Sequence, residues 1–202
     1  MPSEIEIINV ALRKIGAETI DARTDGSANA EKVDDIYDEV RDALLRSHPW
    51  NFATKRQKLA RLSTAPTFGF DYAYGVPSDW LRTISVHDND AGVSTMNYRM
   101  EQVANQRCIV ADAEDCYMRY VAQVTDPNLM AADFRRALIV NLAMDLALPI
   151  ASSNVMMKAM TEEFGPVLAK AKSTDAMGGF PEPRPRGSWA DSRGGYSTVW
   201  PR

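Results

Sequence analysis

The chain has 202 residues, 45% of them hydrophobic and 25% charged, with a formal net charge of -4. This is ordinary globular usage, long enough for one well-buried core or for a core with an inserted subdomain. The acidic balance argues against a protein that grips nucleic acid over its whole surface, because such binding rests on cationic neutralisation of phosphates.

In chain order, Ser3-x-x-Glu6 forms a capping box after Pro2, and Ile5, Ile8, Leu12 and Ile15 share one face, with Gly16 as a C′ residue. The pattern predicts a first helix over about 4 to 15. Ser27 or Asp25 caps a second helix, whose apolar set is Val33, Ile36, Tyr37, Val40 and Leu44 and whose other faces carry Glu31, Lys32, Asp35, Asp38 and Asp42. It ends near Ser47, because Pro49 cannot continue the ladder and pushes His48 out of the α region. Just past that stop, Trp50 and Phe52 sit two apart on an expected extended segment. They would point the same way and wedge between the helix and the next part of the chain.

Strand composition comes next. Segments 81–86, 95–100 and 117–124 are β-rich or partly alternating, and Asp88-Asn89-Asp90-Ala91-Gly92 supplies turn chemistry between the first two. A third helix comes after Asp126-Pro127, with Phe134, Leu138, Leu142 and Leu146 at four-residue spacing until Pro149. The small residues Ala137, Ala143 and Ala147 allow close approach of a neighbour. A fourth helix starts after Ser152, Ser153 or Asn154, with Met156, Met160, Phe164, Val167 and Ala171 inward. Gly165-Pro166 predicts a kink or a restart inside it, since an interior proline costs about 3 kcal/mol.

From about Ser173 the composition shifts to proline and glycine without helical or strand period, which predicts an extended arm over 173–202. Aromatic residues are depleted in chains that stay disordered, yet this segment holds Phe180, Trp189, Tyr196 and Trp200. The expected arm is therefore one that orders against a partner, with Arg184, Arg186, Trp189, Tyr196 and Trp200 as its binding candidates. The expected fold is α+β: a bundle of about four helices from 3–48 and 127–172, a small antiparallel sheet inserted over about 53–125, and the C-terminal arm.

Several ordered pieces carry a resemblance. They are Asn9-x-Ala11-Leu12-x-x-Ile15-Gly16, Arg46-x-His48-Pro49-Trp50-Asn51-Phe52-Ala53 and Tyr72-x-Tyr74-x-Val76-Pro77-x-Asp79-Trp80-Leu81-Arg82. They continue through Tyr98-Arg99-Met100-Glu101, Arg107 to Asp112, and Phe134-x-x-Ala137-Leu138-x-x-x-Leu142-Ala143-x-x-Leu146-Ala147-x-Pro149. Over roughly residues 5 to 172 the set, in order and spacing, resembles the tail tubular protein A family of bacteriophages, the head-to-tail adaptors beneath the portal. The resemblance implies a twelve-membered ring on the portal protein, a channel through which the DNA leaves, and a lower rim that receives the next tail or nozzle component. It implies a structural virion protein of the neck.

Candidate chemistry is thin. His48 reads as a helix-terminal residue favoured by the macrodipole, and His87 as a strand-end surface residue. Cys108 and Cys116 fall in apparent strand segments without the close spacing of a zinc site, and a reduced state is expected of them. No Walker or dinucleotide glycine motif occurs. No cofactor or metal is expected. Lys55, Arg56, Lys58 and Arg61 form a basic stretch that either faces an acidic partner or a DNA phosphate, or is a solvated strand. Pro49, Trp50, Phe52 and Trp80 are expected structural residues. The chain has no long apolar run and no charged-then-apolar leader, which predicts synthesis in the host bacterial cytoplasm and no membrane partner. The competing readings are a tail-associated enzyme such as a cell-wall hydrolase, another phage neck protein, and a DNA-binding regulator. The first needs a cleft with perturbed acids or a nucleophile pair, and the last needs a basic recognition helix.

Overall fold

The computed structural model describes residues 2–92 and 96–179. Its elements are α1 (Glu4–Lys14), α2 (Ala28–Arg46), a 3-10 turn (Asn51–Ala53), β1 (Thr54–Lys58), β2 (Tyr72–Gly75), β3 (Trp80–His87), β4 (Tyr98–Val103), β5 (Gln106–Ala111), β6 (Tyr117–Ala122), α3 (Ala132–Ala147) and α4 (Asn154–Met177). Among the described residues the fold is mixed α and β, with four helices and two small antiparallel sheets.

Local chemistry sets the helix ends. The Ser3 hydroxyl accepts from the Glu6 amide at α1, Ser27 from Ala30 at α2, and Ser153 from Met156 at α4. Each satisfies an amide that has no partner within its helix, a cap worth about 1 kcal/mol. Gly16, at φ +73, closes α1 as anticipated. Its amide donates to Arg13 O while that of Ala17 donates to Leu12 O, the paired bonds of a Schellman stop. Asn9 then pins the outgoing loop: its side chain donates to Ile20 O at 2.8 Å and accepts from Ile20 N at 2.9 Å.

The helices pack around α3, which contacts α1, α2 and α4. Phe134, Ala137, Leu138, Leu142, Ala143, Leu146 and Ala147 are all buried there. A helix surrounded in this way must be apolar on more than one face, and α3 accordingly also buries Val140.

The expected single sheet is two. One has strand order β1-β6-β3 and the other β2-β5-β4. Met118, Tyr120 and Ala122 of β6 share a buried cluster with Tyr74, Ile109 and Ala111 of the second sheet. Val121, facing the opposite way on β6, joins the helical core together with half-buried Leu81 and Ile84. The period of two thus makes the first sheet a middle layer, between helices and second sheet. The outer face of the second sheet presents Ala73, Cys108 and Val110 to Leu62 and Phe70. Segment 60–62 also covers the β2 edge, where Leu62 N donates to Ala73 O and Gly75 N to Ala60 O.

The structure corrects four further expectations. Trp50 and Phe52 do not lie on an extended segment, because a 3-10 turn intervenes before β1. Both rings nevertheless converge on Phe134, at centroid distances of 5.1 and 5.0 Å and in edge-to-face geometry. The Asp88–Gly92 turn does not close a hairpin, since β3 and β4 belong to different sheets. The hairpin is β4–β5, turned at Ala104 and Asn105 with φ of 50 and 60. Helix α4 does not restart at Gly165-Pro166 but runs through it. Both residues are exposed, so water reaches the carbonyl that proline leaves without a donor, and flanking turns hold on α3. Finally, α4 continues to Met177, five residues into the expected arm, because the glycine pair that ends it begins only at Gly178. Among the described residues, no helix is long and apolar enough to cross a membrane.

Candidate partner interface

The His48–Phe52 junction is a clasp on the far end of α4. Trp50 is 1% exposed and its Nε1 donates to Leu44 O at 3.2 Å, so the ring is locked against the helix it terminates. That lock presents Asn51 outward. Its backbone amide donates to the Asp175 carboxylate at 3.1 and 3.2 Å, and its Nδ2 donates to the Asp175 carbonyl at 2.5 Å. His48 Nε2 stands 3.5 Å from Asp175 Oδ2. Two influences oppose each other on this imidazole. Burial lowers its pKa and the Asp175 charge raises it, and burial wins, so the net direction is downward. Gly178 and Gly179, the last described residues, lie beside the Asn51 side chain.

The clasp joins positions 124 apart in sequence, and neither partner announces it in the linear pattern. Of the arm candidates, Arg184, Arg186, Trp189, Tyr196 and Trp200 lie outside the described residues.

Of the basic stretch, Lys55, Arg56 and Lys58 are on β1, an edge strand, and Arg61 follows it beside β2; most of it is engaged internally. Lys55 Nζ binds Asp79 Oδ2 at 2.6 Å, Lys58 Nζ binds Asp115 Oδ2 at 2.8 Å, and the Arg61 guanidinium stacks 3.8 Å over the Tyr72 ring. Arg56 is exposed on the same strand. Burial works to raise Asp79, but the bonds from Lys55 and from Tyr120 Oη outweigh it and hold the carboxyl below its usual range. Such solvent-screened pairs neutralise the strand more than they stabilise it.

Trp80 is half-buried at the start of β3. Its Nε1 donates to Thr83 Oγ1 at 3.0 Å, and the Arg107 guanidinium lies 5.0 Å over its ring. This pair forms one wall of an open cavity of about 830 Å³, which Arg46, Arg82, Glu101 and Gln102 also line. The concentration of arginine there leaves no mark in the sequence, because the three come from α2, β3 and β5 and form no run.

Cys108 and Cys116 are buried and free. Burial pushes Cys116 up to about 12 and Cys108 in the same direction, so both thiols stay protonated and weakly nucleophilic near neutral pH. Among the described residues, no group of three or more His, Cys, Asp or Glu side chains is placed to hold a metal ion. Compared with known proteins, the chain matches no family model and no curated sequence.

Proposed function

We propose that the protein is a head-to-tail adaptor of a bacteriophage, a structural virion component that forms a ring between the portal and the tail or nozzle. In this reading the four helices form one bundle, with the sheets as its insertion and the residues beyond α4 as an extended arm. Its partners are the portal protein, neighbouring copies in a ring of about twelve, and the downstream nozzle protein, with double-stranded DNA passing through. The role is structural and needs no cofactor.

The observation that supports this best is the clasp on Asp175. An arm is useful as a tether only if its root is fixed, and here the root is tied to a junction that is one of the pieces of the resemblance. An arm rich in proline and arginine leaving that point would reach a neighbour already extended, with less entropy to lose on docking. The net negative charge also suits a channel wall, since a surface that bound DNA tightly would retard its passage.

The test is native mass spectrometry of the purified chain alone and mixed with portal rings, the cognate one included. The expected result is a monomer alone and a ring-sized increment on the cognate portal. A chain that stays monomeric beside every portal, cognate included, overturns the reading.

A further inference from the structure

Two of the four lateral edges of the two sheets are visibly protected. The β2 edge is covered by segment 60–62, and the β1 edge carries Lys55, Arg56 and Lys58, charges that discourage another strand from pairing there. The β4 edge and the β3 edge instead flank one cavity of about 830 Å³, each contributing residues to it: Trp80, Arg82 and Thr83 from β3, and Met100, Glu101 and Gln102 from β4. Three guanidiniums surround that space. Arg82 Nη1 donates to the Arg46 carbonyl at 3.3 Å, and Arg107 rests on Trp80. These contacts orient Arg82 and Arg107 while leaving most of their donors open. Arg46, Arg82 and Arg107 form no ion pair among the described residues, and all three are exposed.

On a chain of net charge -4, gathering three cations that make no ion pair, against the single carboxylate of Glu101, beside the β3 and β4 edges asks for an anionic occupant. We propose that this groove seats an extended acidic segment of a partner protein. The segment adds as a strand to the β3 or β4 edge, and its carboxylates meet Arg46, Arg82 and Arg107. Main-chain ladder bonds supply affinity and the arginines, able to fork onto carboxylates, supply the selection. The protein's own C-terminal residues do not suit the site, because 180–202 carry four arginines against two acids. A single-stranded nucleic acid suits it less well, since the face of Trp80 on which a base would stack is already taken by Arg107. The proposal stands apart from the adaptor reading and survives its failure.

The test uses the full chain and a fluorescent decapeptide alternating glutamate and valine, read by anisotropy at low salt. The peptide is expected to bind, its lysine-valine counterpart is not, and added salt should weaken the complex. Arg82→Glu and Arg107→Glu should each weaken it at least about ten-fold, as expected when a cation facing a carboxylate is reversed. Arg56→Glu, on the β1 edge, should leave binding unchanged. Methylating alternate backbone nitrogens of the peptide should abolish it. All three positions are exposed, and circular dichroism checks that the variants fold. Absence of binding overturns the proposal, as does equal loss with Arg56→Glu. A single-stranded oligonucleotide that binds as tightly through Arg82 and Arg107 also overturns it, as does self-association of the chain that these same substitutions abolish.

Discussion

Emptying the Trp50 site would remove a large ring buried to 1% exposure, its bond to Leu44 O, and its edge-to-face contact with Phe134. Trp50→Ala is therefore expected to cost about 3 to 5 kcal/mol, measured by denaturant unfolding. Its neighbour His48 gives the clasp a pH response. The folded pKa lies below the unfolded value of 6.5, so the unfolded chain takes up the proton more readily. The contribution is present above pH 6.5 and declines as pH falls through the folded value. Replacing His48 with glutamine should flatten that decline in a series of thermal melts on the acid side of 6.5. A third residue, Asn51, acts locally: Asn51→Ala removes the 2.5 Å bond to the Asp175 carbonyl and keeps the backbone bond to its carboxylate. Hydrogen exchange should quicken in the last turn of α4 by the equivalent of about 1 kcal/mol, with α3 unaffected.

Among elements, α4 holds the clearest reserve of stability. Gly165 is exposed, has a helical neighbourhood on both sides, and offers open space to a Cβ. Gly165→Ala should stabilise by about 1 kcal/mol and Pro166→Ala by up to about 3 kcal/mol, both read from unfolding midpoints. No change in either would mean that the local backbone is not ordinary helix. The same element shows what the sequence made legible. The start at Ser3 was readable because a cap acts over three residues, and the starts at Ser27 and Ser153 were readable to within two residues, as one of two and one of three candidate caps. The passage of α4 through Pro166 was not, because tertiary packing on α3 overrode propensity. Strand β5 was hard to place for a related reason: Cys108, Ile109, Val110 and Ala111 are all buried, so neither face shows the polar alternation that marks a half-exposed strand. The clasp and the arginine groove were invisible, since each is assembled from residues that meet only in the fold.

For the whole molecule, α4 carries the described residues past Lys172 to Gly179, and that changes the truncation to make. If the proposed adaptor role holds, removing residues 180–202 should leave circular dichroism and melting temperature unchanged while abolishing stable attachment to the portal or to the adjacent subunit. Normal attachment would make the segment dispensable. A loss of helical signal would mean that it packs on its own body. Cutting after Lys172 instead would remove Asp175 and confound the two effects.

The central position of α3 also has a consequence for the order of events on the ribosome. Helices α1 and α2 emerge first, yet α3, the helix against which both pack, begins about 85 residues after α2 ends. At synthesis rates of about 5 to 20 residues per second, the stripes they turn toward α3 stand uncovered for about 4 to 17 s. Two amphipathic helices with no partner for that long are substrates for a holding chaperone. Five of the six acids of α2, Glu31, Asp34, Asp35, Asp38 and Glu39, are exposed, and their like charge opposes association of such uncovered copies.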